Sequence, residues 1–427
     1  MFRPDLSSVR LSVWRSVGLP VAAWVSICAS PLGATTNSDW HQLLGPHRDG
    51  SYLGPPIAKA WPKEGPSVVW KREVGPGLAG PAVSGERLIL FHRKADRAVV
   101  ECLDTRTGKL RWRADYATDY RDDFGFDEGP RATPTIADGR VFTYGAEGRL
   151  SCWQLETGAA LWQVDAVKEF GSQKGFFGRA ASPLVEGDLV ILMPGGRDVA
   201  GLVAFELATG KVRWKATGDE ASYASPTAAT IRGRRTIIAL TREALVALQP
   251  LDGKVIFRHP WRPRGSATVS AATPLVVDDL IFLSASYGAG ASLLRFQESG
   301  LKEVWSRDDV LSNHYATSVY HGGFLYGWHG RQEQGCEFRC VELKTGKVRW
   351  SENGLKAGSV MLAGSDLLVL TERGLLIRTP ATPEGFKPTG RAQILPSDVR
   401  AFPALADGYL FARSREQLIC LDLKKEP

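Results

Sequence analysis

Eight side chains in this sequence have types and placements that could do chemistry: Arg131, Arg179, Tyr223, Tyr287, His314, Tyr315, His329 and Arg331. Arg131, Arg179, Tyr223 and the pair His314-Tyr315 stand just before short runs that open on a small residue, usually followed by proline. Tyr287, His329 and Arg331 lie in the Gly-containing stretches Ser286-Tyr287-Gly288 and Trp328-His329-Gly330-Arg331. Gathered at one end of an axis, they would line a funnel of cationic forks and aromatic faces. Guanidinium forks bind carboxylate or phosphate and aromatic faces stack on sugars or quinones, so such a funnel suits a small anionic or sugar-like ligand. The alternative is that the same groups cap strand ends and hydrogen-bond one another across a wet channel.

Two neighbouring stretches are longer than connectors need. Residues 115–131 include Tyr120-Arg121-Asp122-Asp123-Phe124-Gly125-Phe126-Asp127-Glu128, and residues 164–179 include Gly171-Ser172-Gln173-Lys174-Gly175-Phe176-Phe177-Gly178. Asp119, Asp122, Asp123, Asp127 and Glu128 could offer oxygens to Ca²⁺, but their spacing is not that of an EF-hand, so they read as a solvated acidic loop. Seven histidines without a close-spaced pair give no zinc signature, and no metal is expected. There is no Gly-x-Ser-x-Gly nucleophile turn, and no carboxylate pair can be assigned to glycoside hydrolysis.

The elements that must position these residues come from a repeated hairpin. Leu103-Asp104-Thr105-Arg106-Thr107-Gly108-Lys109 ends one strand in a tight turn, and the next strand ends on Trp112. Glycine supplies the positive φ of the turn, while Asp and Thr side chains satisfy its amides. The pattern returns at Thr157-Gly158 to Trp162, Thr209-Gly210-Lys211 to Trp214, and Thr345-Gly346-Lys347 to Trp350. Weaker copies reach Phe257 and Trp305. The terminal aromatics at 112, 162, 214, 257, 305 and 350 set a period of 43 to 52 residues, which is one supersecondary unit per repeat.

Each unit opens on an innermost strand, as at Thr133-Pro134, Ser182-Pro183, Ser225-Pro226 and Thr273-Pro274, where proline is tolerated at a strand start. Three more apolar runs follow. Four antiparallel strands in about 45 residues make a propeller blade. The chain ends on a third strand, 418–423, without a fourth, whereas 66–70 reads as a fourth strand with no blade before it; pairing the two closes a ring. With a degenerate copy near 390–394 the expectation is an all-β, eight-bladed propeller, the alternative being seven.

Residues 1–34 read as a secretory signal: Arg3, Arg10 and Arg15 precede an apolar stretch from Val17 to Ala29 that is short for a membrane span, and Pro31-Leu32-Gly33-Ala34 suits cleavage. The division expected is 1–34 signal peptide, 35–64 N-terminal extension and 65–427 propeller, exported to the periplasm or beyond, with no transmembrane segment in the mature chain. Ile27 before Cys28 does not suit lipidation at that cysteine. Cys102, Cys152, Cys340 and Cys420 recur at like positions in four repeats and read as small buried hydrophobes. Net charge is +7, or about +5 once three Arg and one Asp of the signal are set aside, without a basic run, so nucleic acid is not an expected partner.

The Asp-x-x-Thr-Gly-Lys-x-x-Trp turns resemble the tryptophan-docking motif of the PQQ-like, or quinoprotein alcohol dehydrogenase-like, β-propeller repeat family, over roughly residues 65–424. The resemblance implies that Trp70, Trp112, Trp162, Trp214, Trp305 and Trp350 each pack onto the neighbouring blade. True quinoprotein dehydrogenases of that family typically carry a vicinal cysteine pair, Ca²⁺ ligands, an aspartate base and large insertions. No Cys-Cys occurs here, and the Ca²⁺ ligands cannot be placed. The chain is closer to the family's non-catalytic members, such as the outer-membrane β-barrel assembly lipoprotein. The expected function is a non-catalytic binding scaffold, monomeric, for an envelope or secreted protein or for the funnel ligand, with no cofactor. The alternative is a dehydrogenase of alcohols or sugars using PQQ with Ca²⁺.

Overall fold

A computed structural model describes residues 38–263 and 268–424; the segment read as a signal and Cys28 lie outside the described residues. Eight antiparallel sheets form the blades of a propeller. Their innermost strands are Ala82–Ser84, Thr135–Ala137, Leu184–Glu186, Thr227–Ile231, Leu275–Val277, Val319–His321, Gly358–Ala363 and Ala404–Ala406, which number the blades one to eight. Second and third strands, such as Leu189–Leu192 and Ala244–Leu248, are buried along their whole length because neighbouring blades cover both faces. Outer strands such as Val212–Ala216 alternate more, since one edge meets water. The ring closes as the sequence predicts: Ser67–Glu73 pairs with Gln417–Asp422, Trp70 opposite Cys420.

The turn chemistry explains the docking. Asp104 Oδ1 accepts from the amides of Arg106 (3.1 Å) and Thr107 (2.9 Å), and Gly108, at φ 66°, returns its amide to the Asp104 carbonyl at 2.8 Å. A Cβ on Gly108 would lie 2.7 Å from Trp70 Cδ2, so the residue must be glycine twice over, for its φ and for the indole above it. Trp112 covers Gly158, Trp162 covers Gly210 and Trp214 covers Gly253 in the same way. Each indole N–H then donates to a carbonyl of the next blade: Trp70 to Thr105, Trp112 to Leu155, Trp162 to Leu207, Trp214 to Pro250, Trp305 to Leu343 and Trp350 to Thr382, at 2.8 to 3.1 Å. At the junction of the fourth and fifth blades Phe257 packs edge-on against Phe296, 5.0 Å between centroids, and no ring covers Gly300. The five described cysteines are free and buried, and burial pushes the thiols of Cys102, Cys152, Cys340 and Cys420 up to about 12, as suits core hydrophobes.

Residues 38–52 cross the axis at one end and tie six blades together. Trp40 bridges Val83 of the first blade, the His41 carbonyl accepts from Ile136 of the second, and Ser51–Tyr52 runs parallel to Leu362 and Ala363 of the seventh. Tyr52 Oη accepts from the Gly408 amide of the eighth at 2.7 Å. Arg48, 2% exposed, supplies the rest. Its Nε donates to Gln42 Oε1 at 2.8 Å, and its terminal nitrogens donate to the carbonyls of Ser182, Pro183 and Pro226 and to Thr135 Oγ1, so five N–H groups meet five oxygens. No carboxylate is among those partners, and burial brings its pKa down to about 9.

Candidate functional site

The residues that open the inner strands meet around the axis. The Gly80 amide donates to Thr133 Oγ1 at 3.1 Å, the Thr133 amide to Ser182 Oγ at 2.9 Å, and the Ser182 amide to Ser225 Oγ at 2.8 Å; the Thr273 amide donates to Thr317 Oγ1 at 3.0 Å. Each hydroxyl thus caps the backbone of the blade before it. These hydroxyls also line an axial cavity of about 310 Å³, whose lining includes Leu43 from the N-terminal segment. The segment that holds Arg48 therefore also contributes to the wall of this cavity.

One wall of the cavity is aromatic. Phe126, Phe177 and Tyr223 line it, and Phe177 lies 6.1 Å from Phe126 and 5.8 Å from Tyr223. Tyr223 Oη accepts from the amides of Phe176 (2.7 Å) and Phe177 (3.1 Å), which fixes the second long stretch against the fourth blade. Above it Phe124 and Phe126 are 55% and 57% exposed, with Phe124 5.3 Å from Phe177. The two long stretches thus meet as a phenylalanine crown. A short helix, Ala166–Phe170, capped by Asp165, stands where the second stretch reads as loop.

The opposite wall is polar. His314 Nδ1 lies 2.6 Å from Gln332 Oε1 and Nε2 lies 3.0 Å from Tyr287 Oη. With the glutamine oxygen accepting, Nδ1 carries the ring proton and Tyr287 donates to Nε2. Burial pushes the imidazole pKa down, which keeps this neutral tautomer. Tyr315 Oη donates to Glu372 Oε1 at 2.8 Å, and the same oxygen takes Arg400 Nε at 2.9 Å. Burial, then Glu372, raises the Tyr315 phenol well above its ordinary range.

Of the eight residues nominated by sequence, Arg131, Tyr223, Tyr287, His314 and Tyr315 line the cavity. Arg131 is paired with buried Asp122 at 2.6 Å and donates to the Asp127 carbonyl at 3.0 Å. Asp122 and Asp127 are buried acceptors of amides rather than solvated: Asp122 takes Phe124 and Asp127, and Asp127 takes Gly129 and Gly77. Arg179 lies behind the wall, bonded to Ser172 and the Ala146 carbonyl. His329 and Arg331 stand in an adjoining groove, where His329 Nδ1 accepts from the Ser312 amide and Arg331 lies 4.6 Å over the Tyr287 ring. Gln332, Glu333 and Arg400 were missed because nothing in their spacing distinguishes them. The Ser and Thr hydroxyls were visible in the x-Pro series but read only as strand starts.

The family described as the outer membrane protein assembly factor BamB matches residues 96–352. No curated protein matches the chain. Among solved structures, the quinohemoprotein alcohol dehydrogenase of Comamonas testosteroni superposes with a TM-score of 0.67 at 14% identity, over 91% of this chain and 81% of that one. BamB from Moraxella catarrhalis gives 0.62 at 18% identity, over 84% and 98%. The computationally designed Ika8 protein gives 0.59 at 11%, over 84% and 100%. An alcohol dehydrogenase, an assembly factor and a design share these blades, so likeness at this level establishes fold alone.

Proposed function

Since the chain belongs to the propeller family described as the outer membrane protein assembly factor BamB, we propose that it is a non-catalytic binding module of the exported space, engaging its ligand or partner at the axial funnel. One observation carries the reading. Three sets of wall groups are committed to one another, Arg131 to Asp122, Tyr287 to His314 to Gln332, and Tyr315 to Glu372 with Arg400, while the crown above exposes phenylalanine. Such an arrangement presents a rigid apolar mouth, the kind of surface that recognises rather than reacts. The likeness to the assembly factor BamB supports a scaffold; export and the lack of a lipid on Cys28 belong to the same proposal.

The dehydrogenase alternative needs a quinone with Ca²⁺. Calcium takes six to eight oxygen ligands, several of them carboxylates. Among the described residues no group of three or more His, Cys, Asp or Glu is placed to hold a metal, Glu333 is the acidic residue that lines the cavity, and nearby Glu372 is engaged by Arg400 and Tyr315. The donor set does not fit that pair. The test is to add PQQ with Ca²⁺ to the purified chain. We expect an unchanged melting temperature and no co-eluting quinone absorbance, whereas a saturable shift, which at 100 times Kd amounts to about 2.7 kcal/mol, overturns the non-catalytic reading.

A further inference from the structure

The hydroxyl ring carries an inference that deepens, and rests on, the funnel reading. Thr133, Ser182, Ser225 and Thr317 are each under 5% exposed and line the cavity. Each hydroxyl oxygen accepts a backbone amide from the preceding blade, at 2.8 to 3.1 Å. A hydroxyl has one proton to give as well as lone pairs to receive. Its oxygen being occupied by an amide leaves the O–H to turn toward whatever else is near, and among the described residues no acceptor takes it. The cavity therefore presents several O–H donors, three of them on adjacent blades, next to an aromatic wall. A buried donor without an acceptor is costly, so the ring favours an occupant that brings one.

Charge then narrows the occupant. The two arginines of the lining are each matched, Arg131 by Asp122 and Arg400 by Glu372, and Glu333 adds a further negative charge. Burying a carboxylate against neutral hydroxyls alone carries a desolvation cost that no unpaired cation among the described lining residues offsets, whereas a neutral carbonyl is well served by two or three O–H donors. The ligand of the sequence reading was anionic or sugar-like; the balance of charges argues against the anion. We propose that the axial cavity binds a neutral, flat, mainly apolar molecule carrying a carbonyl or amide oxygen, seated oxygen-first on the adjacent hydroxyls of Thr133, Ser182 and Ser225 with its rings against Phe177 and Tyr223.

The probes are 2-acetylnaphthalene and its carboxylate counterpart 2-naphthoate, titrated into the purified chain by calorimetry. The ketone binds to one saturable site, 2-naphthoate binds at least about tenfold more weakly, and Phe177→Ala weakens the ketone by about tenfold. Ser225→Ala removes the acceptor of the Ser182 amide and risks the fold, so hydrogen bonding is read on the unaltered protein from the infrared carbonyl band of the bound ketone, which moves to lower wavenumber. Equal or tighter binding of 2-naphthoate, an unshifted band, or no saturable ketone binding overturns the proposal. If the ketone fails while a partner still crosslinks at the crown, only this chemistry falls; if both fail, the funnel reading falls with it.

Discussion

The indole nitrogen of Trp112 donates to the carbonyl of Leu155, 2.8 Å away and 43 residues on, across the junction between the first and second blades. The same ring lies over Gly158, whose Cβ would come within 2.4 Å of it. One residue thus joins two blades by packing and by a directional bond, and five other indoles repeat the bond around the ring.

Removing such an indole opens a cavity at the junction and leaves a carbonyl unmet. Trp112→Ala and Trp214→Ala should each lower stability by about 3 to 5 kcal/mol, and Trp112→Phe by less, since the ring's packing is partly kept. Chemical denaturation measures this. Unchanged midpoints for both alanine variants would mean that the junctions do not depend on docking.

Arg48 links the second, third and fourth blades through carbonyl and hydroxyl oxygens from the centre of the ring. Arg48→Met keeps much of the volume and strands those oxygens, with an expected loss on the order of 3 kcal/mol. Arg48→Lys should rescue only part of it, because three donors cannot meet five acceptors. Denaturation midpoints of the two variants test the order, and a lysine variant as stable as the parent would contradict the account.

Glu101 sets an acid limit. It is 1% exposed, and burial alone would raise its pKa, but His92 at 3.6 Å, Arg72 at 2.8 Å and Lys94 at 3.1 Å bring it down to about 2. His92 is itself buried and pushed toward its neutral form, so the two cations are the partners that hold the carboxylate charged. A depressed carboxylate contributes stability that is complete above its unfolded pKa of about 4.5 and disappears as pH falls through about 2. Glu101→Gln should therefore be less stable than the parent at pH 6, with the gap narrowing as pH drops toward 2. A gap independent of pH, followed by urea denaturation across that range, would show that Glu101 is not charged in the fold.

Much of the fold is legible in the sequence because a local device repeats. The turn at Gly108 reports its own φ, and Trp112 marks the strand that must reach the next blade; the strands at both ends of the ring are incomplete in complementary ways. The Arg48 cross-link between blades was not legible. Arg48 binds backbone oxygens, which every residue has, so no partner type gives it away. The site was legible in part. Repeat position says which end of the axis a residue occupies, which is why Tyr287 and His314 were found. It does not say how a side chain turns about that axis, which is why Arg179, bonded sideways to Ser172, was nominated and lies behind the wall.

The central claim is that this propeller binds through its phenylalanine crown, and site-specific photocrosslinking tests it most directly. A photoreactive phenylalanine analogue is placed at Phe126, 57% exposed at the mouth, and separately at Leu251, 75% exposed on an outer turn of the fourth blade. Irradiation in cells that express the chain should give a discrete adduct from position 126 that Phe124→Ser diminishes, with none from position 251. Adducts of equal yield from both positions, or from 251 alone, would contradict the account.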